Sequence, residues 1–449
     1  MNIVICNGPG VLDNGQEVIL FPSRWDSGIP HGHKKPFAFY PYELAALSTL
    51  LKRESELGNM PMATVKMLDP NIESWNGDRT IQEIAKYKPD VLICECSALT
   101  YPTMTRVMQE LVRNHYGTQD EFRAILCGPM GSYDAPTAHG DGWDDVVKGE
   151  YELTVLELLG GIVPDEARTD AGLINLDWLP WPEDEDCDPI RYDEINHRRK
   201  GYIQMYPTRG CSLGCTFCVV PTLYGGHGKS HKSHRVRDVN DVCDQILYYK
   251  DRYGAKMNGC YFNEETHNNN VPWLTDLCNE FIKRGMKDKY GLRFDAMTGA
   301  WLYTREIIEL MARAGYDQIR FGVESTSEQV GKAIHKTIHK QKVETLLGWA
   351  KEFDVHCYVT LQVGAMGSTE QSDLATIADA KEWIRKGLVH RWQLSTSTPQ
   401  RNTPFYDLCK SKGYLITENP EDFDGYRATC DFPDYPAHRI QKVRDECGL

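Results

Sequence analysis

Three cysteines stand together in Arg209-Gly210-Cys211-Ser212-Leu213-Gly214-Cys215-Thr216-Phe217-Cys218, a CxxxCxxC spacing. Three thiolates on one short loop can each ligate one iron of a cubane iron–sulfur cluster, which leaves the fourth iron open to a small molecule. A tetrahedral zinc ion would ask for a fourth Cys or His, and His227, His231 and His234 follow. Three unrelated buried thiols are the third reading. Downstream, Tyr261-Phe262-Asn263-Glu264-Glu265-Thr266 carries adjacent carboxylates, able to accept hydrogen bonds from an ammonium group. Arg320-Phe321-Gly322-Val323-Glu324-Ser325 offers another acid, with Lys336 beyond it. Gln362-Val363-Gly364-Ala365-Met366-Gly367 is a turn where backbone can approach a ligand closely. His227 to Arg237 is the most basic stretch, suited to an anionic group or to a surface loop.

These residues need a scaffold, and the hydrophobic pattern supplies one in two blocks. In residues 1–165, apolar runs at 2–6, 63–68, 90–94, 123–127 and 144–147 alternate with helical patterns at 41–54, 80–87, 102–115 and 151–159. Such alternation predicts a parallel sheet covered on both faces, an α/β doubly wound (Rossmann-like) domain that binds ligands beyond its strand carboxyl ends. Residues 166–200, with Pro180, Pro182, Pro189 and an acidic run at 183–186, read as a linker. Residues 201–396 predict strands at 202–206, 257–262, 291–296, 317–322, 355–361 and 391–395, with six interleaved helices. That is a partial (β/α)6 barrel, two units short of the full eight. The cysteine loop directly follows its first strand, and each acidic motif follows a later one. Residues 397–449, rich in proline, read as an irregular cap with one short helix.

The 449 residues carry 50 Lys plus Arg against 64 Asp plus Glu, a net charge of −14. That balance argues against non-specific nucleic-acid binding, without excluding a local basic groove. No apolar run approaches the length of a membrane helix and the first residues carry no secretory pattern, so the expected location is the cytoplasm. Fifteen cysteines dispersed through so long a chain fit reduced, buried thiols rather than a disulfide scaffold.

The Cys211–Cys218 segment resembles the signature of the radical S-adenosylmethionine (SAM) enzymes. The chain resembles in particular the subgroup with an N-terminal cobalamin-binding domain, which includes magnesium-protoporphyrin cyclase-like proteins and class B methyltransferases. The similarity covers about residues 1–410. It implies a [4Fe–4S] cluster on Cys211, Cys215 and Cys218, with SAM chelating the open iron. It implies that Phe217 lies against the adenine, that Glu264, with Glu265 second, holds the SAM amino group, and that Glu324 and Ser325 serve the SAM hydroxyls or nitrogen. Lys336 matches the family's later Lys. Gln362 opens the Gly-rich turn, where Ala365-Met366 departs from the family's Leu-Pro pair. Arg293 is either a partner of the SAM carboxylate or structural.

In the first block the resemblance runs through strand-end turns: Asn7-Gly8-Pro9-Gly10, Ser97-Ala98-Leu99-Thr100, Gly128-Pro129-Met130-Gly131 and Val147-Lys148-Gly149-Glu150, with Glu152 as a second acid. It implies cobalamin contacts at Gly8, Ser97, Thr100, Gly128, Pro129, Met130, Gly149 and Glu150. No DxHxxG cobalt-ligand motif is present, and no Rossmann dinucleotide glycine pattern. The implied reaction is methylation of an unactivated carbon through a 5′-deoxyadenosyl radical and methylcobalamin. Rival outcomes are radical cyclisation, ring contraction or oxidation, a methylthiotransferase, and a non-enzymatic cobalamin or metal carrier. The expected partners are a small-molecule or peptide substrate and an electron donor such as flavodoxin or ferredoxin.

Overall fold

The computed structural model describes residues 1–21, 27–29, 33–116, 122–224 and 233–448. It divides into two compact units. The first holds Met1–Tyr192 with short returns near Thr222 and over Asn419–Asp424; the second, starting at Asp193, holds the remainder.

The first unit is a five-stranded parallel sheet: β1 (Asn2–Cys6), β2 (Thr64–Leu68), β3 (Val91–Glu95), β4 (Arg123–Cys127) and β5 (Asp145–Val146). Their spatial order is β2-β1-β3-β4-β5. The main helices are α1 (Tyr42–Glu56), α2 (Gly77–Ala85), α3 (Tyr101–Leu111) and α4 (Glu152–Leu158). Buried runs such as Ile3–Cys6 and Leu92–Cys94 explain why the strands read as continuously apolar. The doubly wound architecture expected from the sequence is present, with its strand-order reversal between β1 and β3, where such sheets form their ligand crevice.

The second unit is a six-stranded parallel sheet of β6 (Tyr202–Met205), β7 (Gly259–Phe262), β8 (Arg293–Thr298), β9 (Tyr316–Glu324), β10 (His356–Val363) and β11 (Arg391–Thr396), adjacent in chain order and not closed into a barrel. Between them come α5 (Val239–Tyr253), α6 (Val271–Arg284), α7 (Arg305–Ala314), α8 (Glu328–Ala333), α9 (Lys340–Glu352) and α10 (Glu370–Arg385). Local chemistry sets the helix ends. Asn270, Thr304 and Thr369 side chains accept from backbone N–H groups at the starts of α6, α7 and α10, while left-handed Gly285 and Gly315 stop the first two.

The two faces of this sheet differ. Ile203, Cys260, Phe294, Ala296, Ile319, Phe321 and Val359 are fully buried and alternate along their strands. The opposite face carries Gln204, Tyr261, Asp295, Gln318, Arg320, Tyr358 and Gln393, which are lateral neighbours by register or alternate with them. At the heart of that polar face lies an ion network. The Arg320 guanidinium donates to Asp295 (Nε–Oδ2 2.9 Å) and pairs with Glu194 (2.7 Å); His197 Nδ1 stands 2.7 Å from Asp295. The guanidinium also lies 4.3 Å over the Tyr261 ring. Glu194 and His197 therefore complete the core of the second unit from a segment that reads as linker.

One expectation needs correction. The C-terminal residues hold two helices, α11 (Pro404–Lys412) and α12 (Ala437–Cys447), rather than one. Only Ile440 and Val443 of α12 are buried, so its apolar stripe is too thin to stand out in the sequence.

Candidate active site

The cysteine loop is held before any ligand arrives. Thr208–Arg209 pairs antiparallel with Arg235–Val236, and Gly210 sits at φ +89° with Ser233 O where a Cβ would be, 2.4 Å away, so only glycine fits. Gly210 N–H donates to Glu265 Oε2 (3.0 Å). Thr216 is clamped on both sides: its N–H donates to Ile334 O (3.1 Å) and its carbonyl accepts from Phe405 N–H (3.0 Å) at the start of α11. Phe217 packs against the cluster of Val330, Ile334 and Ala365 and against that of Phe405, Cys409 and Cys430.

Cys215 is buried; Cys211 and Cys218 are partly exposed. Burial pushes the Cys211 and Cys215 thiols up, and the positive charge of Lys336 opposes it at both. The Leu213 N–H donates to Cys211 Sγ (3.4 Å). Among the described residues, no three His, Cys, Asp or Glu side chains converge on one point as a zinc ion requires. A cubane instead spreads its thiolates, one per iron, and this loop offers three thiols, an N–H donor to sulfur and a nearby cation, which suit that cluster. Of the histidines proposed as a fourth ligand, His227 and His231 lie outside the described residues. His234 is largely buried, and that burial holds its imidazole down at about pH 4.

Lys336 Nζ also donates to Glu324 Oε1 (2.8 Å). Glu324 ends β9 at φ +62°, where the register with β10 slips. A non-glycine residue in the left-handed region costs of order 1 kcal/mol and clusters at functional sites. A Cβ on Gly322 would stand 2.0 Å from Glu324 Oε1 and 2.6 Å from Lys336 Nζ, so a side chain there would displace the ends of that pair.

Glu264 is fully buried at the end of β7. Its Oε1 meets His267 Nδ1 (2.5 Å), whose Nε2 meets the Tyr316 hydroxyl (2.6 Å). Burial pushes this carboxyl up while His267 opposes it. Its second oxygen, Oε2, is buried with no hydrogen-bond partner among the described residues, as are Gln362 Oε1 and Thr216 Oγ1. Buried acceptors without donors are costly. Each is an acceptor that a donor group of a bound ligand would satisfy.

Other expected residues are engaged elsewhere. Arg293 opens β8 at its amino end and donates to Leu292 O (2.9 Å), away from the strand end that carries the cysteine loop's neighbours. Ser325 Oγ lies 3.2 Å from Thr376 Oγ1 and accepts from Ser327 N–H. In the basic stretch, Arg237 is buried and bonded to Gln245 (2.6 Å) and Asp241 (2.9 Å). Residues 227–232 lie outside the described residues.

In the first unit, the turns expected to hold cobalamin gather at the strand carboxyl edge, but their small residues serve their own packing. A Cβ on Gly8 would stand 2.9 Å from Leu20, one on Gly128 2.5 Å from Glu95, and one on Gly149 2.8 Å from Leu223 O. Ser97 N–H donates to Thr100 Oγ1 (3.1 Å), a turn that starts α3. Pro129 and Met130 begin a short helical turn, with Met130 N–H on Cys96 O (2.8 Å). Glu150 accepts from Ile174 N–H (3.1 Å). The edge is compatible with a ligand, but none of these residues by itself requires a corrin.

Residues 205–380 match the model of the radical SAM superfamily. The chain carries a radical SAM domain. The cysteine loop, Glu264, Glu324, Lys336 and the Gln362–Gly367 turn all fall inside it. Half of this chain is 25% identical, over 239 residues, to a cytidylyl-2-hydroxyethylphosphonate methyltransferase of Streptomyces wedmorensis, but covers only 42% of that relative's length. An uncharacterised methyltransferase of Pyrococcus horikoshii is 22% identical over 423 residues, 90% of this chain and 85% of the relative. In fold, the chain is similar to the radical SAM methyltransferase TsrM from Kitasatospora setae, solved with cobalamin and a [4Fe–4S] cluster, at TM-score 0.64 and 15% identity, covering 92% of this chain and 78% of TsrM. It is similar too to the cobalamin-dependent enzyme OxsB, solved with aqua-cobalamin and SAM, at TM-score 0.65 and 15% identity, covering 99% of this chain and 66% of OxsB. These likenesses extend the shared architecture beyond the radical SAM domain, into the doubly wound unit. Among the described residues no helix is long and apolar enough to cross a membrane.

Proposed function

We propose that this protein is a cobalamin-dependent radical SAM enzyme that methylates an unactivated carbon of a small-molecule or peptide substrate. The observation that carries the reading is the Cys211–Cys218 loop, clamped at Thr216 and set beside the Lys336–Glu324 pair, within a radical SAM domain joined to a doubly wound unit. The similarity to methyltransferases in sequence and to TsrM and OxsB in fold supports it.

Cys211, Cys215 and Cys218 would hold the cluster, and Phe217, packed against two apolar clusters, would present its ring beside it. Bound there with SAM, the cluster would supply the electron that starts radical chemistry. Glu264 Oε2 would accept from the SAM ammonium in a charge-assisted bond to a fully buried carboxylate. Glu324, locked by Lys336 into one orientation, would take further SAM donors. Cobalamin would sit at the carboxyl edge of the first sheet, where doubly wound domains bind ligands. An external one-electron donor such as flavodoxin or ferredoxin would complete the cycle, and the cytoplasm would supply it.

The test is anaerobic reconstitution with iron, sulfide and cobalamin. Wild type should hold about four irons, retain corrin through gel filtration and cleave SAM. The triple replacement Cys211→Ala, Cys215→Ala and Cys218→Ala should lose iron and cleavage, while Cys94→Ala keeps both. Zinc in place of iron, or folded protein that neither retains nor needs corrin, defeats the proposal. Labelled SAM methyl appearing in product separates methylation from cyclisation or oxidation.

A further inference from the structure

The Gly-rich turn after β10 is held from behind by one carboxylate. Asp373, in the first turn of α10, is fully buried, and its Oδ2 accepts the Gly364 N–H at 2.8 Å. Gly364 itself is left-handed (φ +69°), with Ile440 of α12 where its Cβ would point, 2.8 Å away. A side chain at Gly364 would meet the Ile440 methyls, and turning the Gly364 N–H away would break its bond to Asp373. Two residues before Gly364 stands Gln362, whose buried Oε1 has no partner among the described residues.

We propose that Asp373 is a positioning residue: its carboxylate fixes the backbone of the Gln362–Gly367 turn and thereby the affinity for SAM. The proposal rests on the radical SAM reading above. Asp373 touches neither SAM nor the cluster, so it acts through Gly364.

The surroundings make the hold depend on protonation. Burial dominates and pushes the Asp373 carboxyl up to about 7; the Gly364 N–H and the hydroxyls of Tyr435, Ser368 and Ser372 only partly offset it. Of the charged groups on the flanking helices, Glu370 on α10 and Arg439 on α12 are paired with each other (2.9 Å). Among the described residues no cation is bonded to Asp373 to hold it ionised at low pH. Below about pH 7 the neutral acid offers Gly364 an ordinary acceptor; above it, the carboxylate offers a charge-assisted one, stronger by enough for about a fivefold change in affinity.

The experiment measures SAM binding to the reconstituted protein by equilibrium dialysis, from about pH 6 to about pH 8, with the thermal midpoint recorded alongside. Wild type should bind SAM about fivefold more tightly at the upper end. Asp373→Asn should retain its iron, bind SAM weakly, and lose the pH step that wild type shows. Tyr435→Phe, which leaves the bond to Gly364 in place, should move the step to higher pH; it keeps the idea testable if Asp373→Asn does not fold. An unchanged step in both variants overturns the role of Asp373 while leaving the radical SAM reading intact. Cluster-loaded wild type that does not bind SAM at all overturns both.

Discussion

Lys336→Met removes a cation from beside the cysteine loop and leaves Glu324 as a buried carboxylate without its partner. The side chains of Lys336 and Glu324 are 12% and 7% exposed, so water can solvate little of the orphaned charge. Breaking a buried pair by removing one partner costs about 3–5 kcal/mol, and the residual exposure places this site at the lower end. For a unit of this size, each kcal/mol moves the thermal midpoint by about 2–4 °C, giving a loss of about 6–12 °C. The double variant Lys336→Met, Glu324→Gln leaves no unpaired charge and should recover most of that loss. Calorimetry on the cluster-free protein reads both, following the transition of the second unit because a two-unit chain need not unfold in one step. A single variant that costs no more than the double would refute the argument, since the penalty would then owe nothing to the unpaired carboxylate.

Arg320→Met should be comparably severe, by about 3–5 kcal/mol, because Asp295 and Glu194 would both lose their cation inside the second unit; chemical denaturation checks it. His356 and His390 stack at 3.7 Å between ring centroids, and burial with mutual repulsion holds His356 down at about 4. The unfolded chain therefore takes up that proton first. The stability involved is intact above about pH 6.5 and is lost as pH falls toward 4. His390→Gln should make unfolding less acid-sensitive in a pH titration of the thermal midpoint. Glu264→Gln keeps the shape of its side chain and should weaken SAM binding with iron content unchanged; wild-type affinity would show that Oε2 does not meet the ammonium.

Much of the fold was legible because parallel strands buried on both faces write themselves as short apolar runs. The 2–6 and 123–127 runs coincide with β1 and β4, and the others agree to within a few residues. The cysteine loop was equally legible, since its chemistry is local in sequence. What escaped is non-local. The pairing of Lys336 with Glu324 spans a whole helix, and the Arg320 network joins β9 to a stretch whose prolines and acids read as linker. Asp373 carried no signal because an acid in the first turn of a helix is ordinary. The strand-end glycines of the first unit are tight on their Cβ side, where Leu20, Glu95 and Leu223 stand. A glycine marks close approach, but the sequence does not say of what.

The ion network of Glu194, His197, Asp295 and Arg320 has a consequence for how the chain can be divided. Its members are brought together across 98 residues from His197 to Asp295 and 123 from His197 to Arg320. The segment that carries Glu194 and His197 leaves the ribosome well before β8 and β9 and must wait for them, a long-range closure of the kind that slows folding. A fragment begun at residue 201, where the strand pattern starts, would bury Arg320 with one carboxylate fewer and Asp295 without its imidazole. Dissection into autonomous halves should therefore cut ahead of Asp193. The nine residues between that point and the first strand belong, in folding terms, to the sheet they precede.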